Sequence, residues 1–221
     1  MTENTPTAAI PYSQEVFRKL IHLSSLWMVA LIWFFPFPKL LLFYGFAICL
    51  VLNLLCEYAY SCQVRFITPL YAFFFKNMLR GDVKRGQWVV SGSPPVFAAA
   101  ALVTLLFPLK IAAIALGVML IADTAAALIG RRFGKHKVAN GKSLEGVLAF
   151  CVAGSLWACG LLYCAGLLNG WTAAVAVLGV FLASMAELFE KQLHMDDNFS
   201  IPLISGAVIW LSTILFLQHS T

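Results

Sequence analysis

Residues 109–146 read LKIAAIALGVMLIADTAAALIGRRFGKHKVANGKSLEG. The run up to Gly130 is apolar except for Lys110 near its start and Asp123 near its end. It is long enough to cross a hydrocarbon core about 30 Å thick. It then breaks into a basic loop punctuated by glycines, and "KSLEG" leads into another apolar run. This stretch decides the fold class. It is a membrane helix that carries a carboxylate inside its last turns, followed by a charged loop at one membrane surface.

The rest of the chain agrees. Of its 221 residues, 61% are hydrophobic and 11% charged, and the mean hydropathy is +0.87. A soluble domain is closer to half apolar and a quarter charged. Seven candidate spans follow, at roughly 20–37, 39–59, 89–107, 109–130, 145–168, 171–190 and 199–218. The fold class is therefore all-α integral membrane. Between the second and third spans, residues 64–80 are short, aromatic and bounded by arginines, which predicts an interfacial helix. Residues 1–11, "MTENTPTAAIP", are expected to be a disordered tail with no removable signal. Residues 12–221 form a single multi-pass domain, because no polar segment is long enough for a second core. The six cysteines lie mostly in apolar runs and include no C-x-x-C. Packing accounts for them better than disulfides or metal.

Charge fixes the expected orientation. Alternate loops carry thirteen Lys and Arg on one side and two, Lys39 and Lys110, on the other. The positive-inside rule then places the N-terminus in the cytoplasm and the C-terminus outside. Asp82, Asp123, Glu145, Glu187, Glu190, Asp196 and Asp197 share the basic side. Any chemistry is expected there, and a bacterial cytoplasmic membrane is the expected location.

Asp123 lies about one and a half turns inside its helix. A charge at the bilayer centre costs about 2.5–3.5 kcal/mol on insertion scales and less near the surface. Its helical neighbours Ala127 and Gly130 are small, which suits close helix packing or a ligand beside the carboxylate. Arg131, Arg132, Lys135 and Lys137 then follow, with Gly134 among them. Such a loop anchors topology or meets anions, and glycine lets backbone approach an anion. Ser143 can cap the next helix and Glu145 suits its first turn. The same helix N-terminus with Lys142 is also an anion site, although Walker spacing is absent. In "AELFEKQLHMDDNFSIP", residues 186–202, Asp196, Asp197 and Asn198 suit a helix cap. They also bring oxygen ligands to the side of Asp123. Magnesium needs few protein oxygens when phosphate and water supply the others. Arg18, Lys19 and His22 open the first span. Arg18 and His22 share a face.

Five motifs in this order resemble the CTP-dependent polyprenol kinase family, which includes dolichol kinases, phytol kinases and the fungal CTP-dependent diacylglycerol kinase. They are E-x-x-R-K-x-x-H from Glu15, D-T-A-A-A-L-I-G-R-R-F-G-K from Asp123, K-S-L-E-G from Lys142, A-E-L-F-E from Ala186 and D-D-N-F-S-I-P from Asp196. Together they span roughly residues 15–202. Residues 123–146 alone are also similar to membrane phosphatidate cytidylyltransferases, but the C-terminal signature of that family is missing. The resemblance implies transfer of the γ-phosphate of CTP to a lipid alcohol. It implies Asp123 and Asp197 at a magnesium ion, with Asn198 in support. Lys142, Arg131 and Lys135 would hold the triphosphate, with Gly130, Gly134, Ser143 and Gly146 framing it. Glu145 would position base or sugar, or only cap. Glu187 leads as proton acceptor, with Asp196 second. Arg18 and His22 are further candidates. Gly117, Ala122 and Ala126 would make room for the lipid tail. Expected partners are a lipid alcohol, a nucleoside triphosphate and the bilayer, with no nucleic acid; a homo-oligomer is compatible. The alternatives are a cytidylyltransferase, or a non-enzymatic lipid transporter or binding protein. A transporter would be expected to show midplane charges and an internal repeat, and no clear repeat is present.

Overall fold

The computed structural model describes residues 12–65, 68–69, 92–193 and 195–219. All the extended elements among them are helices. They are α1 (Tyr12–Ser24), α2 (Leu26–Phe34), α3 (Lys39–Ser61), α4 (Ser93–Leu106), α5 (Leu109–Phe133), α6 (Leu144–Cys164), α7 (Gly170–Leu188), the single turn α8 (Glu190–Leu193) and α9 (Asp197–His219). The protein is an all-α integral membrane protein.

Among the described residues, six helical stretches are long and apolar enough to cross a membrane, counting α1 and α2 as one that is interrupted at Ser25. The third predicted span differs. Within the described residues it is the 14-residue α4, too short by itself to cross a core of about 30 Å. The expected tail at 1–11 and nearly all of the expected interfacial helix at 64–80 lie outside the described residues.

The central helix is α5. Every residue from Ile111 to Leu120 is buried. It packs against α6, α9, α2, α1 and α4, while α7 packs on α9 and α6, and α3 packs on α4. Small residues make the closest of these crossings. Gly146, Phe150, Gly154, Ala158 and Leu162 form a buried i+4 stripe on α6. A Cβ on Gly154 would come within 2.7 Å of Val180 and 3.2 Å of the Ala122 Cβ. The opposite face of α6 exposes Leu148, Val152, Leu156 and Tyr163. That division suits a helix between protein and lipid.

Helix lengths set the depth of one polar layer. Asn53, Asp123 and Ser184 each lie about fourteen residues beyond the starts of α3, α5 and α7, roughly 21 Å along the helix. Ser93 opens α4 about as far from the α4–α5 turn. All four residues line one cavity. The far turns carry Lys39 and Lys110, whereas Arg18, Arg131, Arg132, Lys135, Lys137, Lys142 and Lys191 gather at the cavity end.

Candidate functional site

The cavity has a volume of about 1040 Å³. It lies where α1, α5, the 134–143 loop, the end of α7 and the start of α9 converge. Its floor is a buried charge cluster. Lys19 donates from Nζ to Asp123 Oδ2, and both side chains are 8% exposed. His22 Nε2 lies 3.4 Å from the same oxygen. Glu15, Lys19 and His22 are spaced four and three apart, so a single helical face delivers all three. Glu15 is buried. It accepts a 2.6 Å bond from Arg18 Nη2 and lies 3.6 Å from Arg131 Nη1.

The loop after α5 forms the second wall. Val138 N donates to Lys142 O, and Lys142 N donates to Ala139 O. Asn140 and Gly141 have φ of +58° and +78°. This is the left-handed conformation that an Asn-Gly pair tolerates best. Asn140 Nδ2 then donates to Leu188 O at 2.7 Å and to Gln192 Oε1 at 2.8 Å. Lys142 Nζ donates to Glu187 O at 2.7 Å and Glu187 Oε1 at 3.0 Å, with Glu190 Oε2 at 3.5 Å. The loop is thus strapped to the end of α7. Burial alone would lower the Lys142 pKa, but the Glu187 carboxylate and its hydrogen bond outweigh burial and raise it. Lys142 is therefore a fixed cation at the cavity wall.

Ser143 caps α6 by accepting from Gly146 N at 3.2 Å. Its hydroxyl also reaches Gly130 O at 3.4 Å. A Cβ on Gly146 would come within 3.0 Å of Ala126 O and 3.3 Å of the Gly130 Cα. A Cβ on Gly134 would run into Gly130 O and Ser143. Close packing of α5 on α6 therefore accounts for these glycines. At the start of α9, Asn198 N donates to Asp196 Oδ1 at 3.0 Å. Its amide Nδ2 donates to Asp196 Oδ1 at 2.9 Å and to Asp197 Oδ1 at 3.1 Å.

Most of the residues singled out from sequence meet here. Arg18, His22, Asp123, Gly130, Arg131, Lys142, Ser143, Gly146, Glu187, Asp196, Asp197 and Asn198 all line the cavity. Gly134, Lys135 and Glu145 do not. Glu145 instead accepts from the His136 backbone N at 3.2 Å and pairs with His136 Nδ1 at 2.8 Å. It braces the loop from the outside. The room expected along α5 is also partly absent. A Cβ on Gly117 would fall inside the Trp157 indole, whose Nε1 donates to Ile114 O at 3.2 Å. Ala122 is buried against Gly154; only Ala126 reaches the cavity. Glu15, Lys19 and Glu190 hold fixed motif positions to which the resemblance attached no role, and Asn140 lies outside the motifs; all four help form the site. The four-three spacing on α1 and the Asn-Gly turn were the available signals.

Comparison with known proteins gives three partial likenesses. A probable chloroplastic phytol kinase of Glycine max is 32% identical over 110 residues, 46% of this chain and 36% of the plant protein. An uncharacterized protein of Rickettsia prowazekii is 27% identical over 84% of this chain and 88% of its own length. One of Methanocaldococcus jannaschii is 25% identical over 89% of this chain and 93% of its own length. No protein-family profile matches the chain, and no solved structure matches it.

Proposed function

We propose that the protein is a CTP-dependent lipid-alcohol kinase that works at the cytoplasmic surface of the membrane. The observation that carries this reading is the cavity itself. Five separated motifs converge on it, it combines fixed cations with carboxylates, and it is sunk below the end of a membrane helix. The partial likeness to a phytol kinase points the same way.

Phosphoryl transfer needs charge neutralisation and alignment more than covalent chemistry. Arg131 and Lys142, with the N-terminal N–H groups of α6, are suited to the triphosphate. The alcohol oxygen would attack the γ-phosphorus as the bond to the CDP oxygen breaks. The hydroxyl proton would pass to Glu187, which lies at the wall with one carboxylate oxygen already held by Lys142.

Among the described residues no three His, Cys, Asp or Glu side chains cluster closely enough to cage a metal. Magnesium, however, is commonly held by one or two carboxylates plus phosphate and water. Asp123 and Asp197, both lining the cavity, fit that pattern, and Asn198 holds Asp197 in place. When bound, the ion supplies positive charge to the phosphates. Lys19 supplies it to Asp123 from the protein side.

Label transfer in detergent tests the reading. The purified protein is given magnesium, a panel of isoprenoid alcohols, diacylglycerol and phosphatidate, and CTP labelled at the γ- or the α-phosphate. Label in lipid from the γ position alone is expected. Label from the α position, with pyrophosphate released, would make the protein a cytidylyltransferase. Lipid binding without transfer from either position would favour a transporter or binding protein.

A further inference from the structure

Resting on that kinase reading, we propose that the acceptor alcohol enters the cavity sideways from the bilayer, past α2 and α4, and that Asn53 on α3 binds its hydroxyl.

The path along the inner faces of α5 is closed. Trp157 fills the space at Gly117, and Ala122 meets α6 at Gly154. Toward α1, α2 and α4 the lining is an apolar arm made by Ile21, Trp27, Met28, Val96 and Phe97. Trp27 lines this arm and is 47% exposed. The proposed path passes this ring, which rests on Phe46 of α3 with ring centroids 6.1 Å apart. The break between α1 and α2 falls beside the arm, where Ser24 and Ser25 line it.

Asn53 is the polar group α3 contributes to the cavity. Its Oδ1 is buried and accepts no hydrogen bond among the described residues. Buried polar atoms are rarely left unpaired, and an exception calls for an explanation such as an absent ligand. Amide planes turn easily about their terminal torsion, so Oδ1 can be presented to the cavity. An alcohol hydroxyl supplies the missing donor. Asn53 lies at the depth of Asp123, so a hydroxyl held there is level with the charge cluster. Transfer requires the hydroxyl to swing its proton from Asn53 toward Glu187. Asn53 is thus a binding residue that acts on KM for the alcohol.

Two measurements test this. Steady-state γ-label transfer to phytol is compared for wild type, Asn53→Leu and Asn53→Gln. Asn53→Leu is expected to raise KM for phytol about tenfold, the worth of one hydrogen bond, with kcat and KM for CTP little changed. Asn53→Gln recovers part of the loss. A rise in KM for CTP instead would overturn the assignment. Separately, a photoreactive diazirine analogue of phytol is crosslinked to the full chain in detergent. Adducts at Trp27–Met28 or Val96–Phe97, removed by excess phytol, are expected. Adducts on α6, α7 or α9 would overturn the entry path. Crosslinking at the arm with no γ-label transfer to any alcohol would sink the kinase reading and leave the docking site standing. Transfer without crosslinking at the arm would do the reverse.

Discussion

Asp123 carries two jobs that sequence alone merges into one. It is the buried partner of Lys19, and it is the carboxylate the proposed chemistry needs most. Breaking a buried pair by removing one partner typically costs about 3–5 kcal/mol, because the other charge is left uncompensated. Asp123→Asn is therefore expected to lower the melting temperature in detergent and abolish γ-label transfer. Adding Lys19→Met should restore much of the stability, since a neutral pair no longer strands a charge, while transfer stays absent. Full activity in Asp123→Asn would remove Asp123 from the mechanism. At the same scale, Glu145 shows how one motif can hold unlike roles. Its neighbour Ser143 lines the cavity, whereas Glu145 faces His136 outside it.

Among the elements, the 134–143 loop is held by long-range side-chain bonds. Asn140 and Lys142 tie it to the end of α7. Each such bond contributes about 0.5–1.5 kcal/mol, and those to charged groups about 1.5–3 kcal/mol. Asn140→Ala is expected to speed amide exchange across the loop and raise KM for the nucleotide, leaving the helices as protected as in wild type. The Lys142 contacts have a pH signature. A lysine whose pKa is raised by folding stabilises the fold fully below its ordinary value of 10.5. That contribution fades only as pH climbs through the higher folded value. Melting measured from neutral to strongly alkaline pH should show this late loss in wild type and not in Lys142→Met.

Across the whole molecule, the cavity end gathers the positive charge and the far turns have almost none. The rule that excess Lys and Arg stay inside then predicts a cytoplasmic cavity. In a chain whose other cysteines are replaced, exposed Cys164 at the far turn should react with a membrane-impermeant maleimide added outside intact cells. A Lys191→Cys variant should react only after the cells are opened. The opposite pattern would invert the orientation.

The sequence by itself determined the class of fold and that charge collects at one end of the helices. Both depend on composition summed over long stretches: apolar runs must match the hydrocarbon thickness, and lysines and arginines separate by loop. It also marked most of the charged residues that line the cavity, because a charge inside an apolar helix stands out locally. Partnership was beyond its reach. Lys19 and Asp123 are 104 positions apart, and Asn140 meets Leu188 across 48. Such contacts depend on how α1 and α7 cross α5, and side-chain volumes at those crossings set the geometry. The same volumes separate Gly117, filled by Trp157, from Ala126, which is open to the cavity. In sequence both are simply small residues on one helix; only packing tells which of them has space beside it.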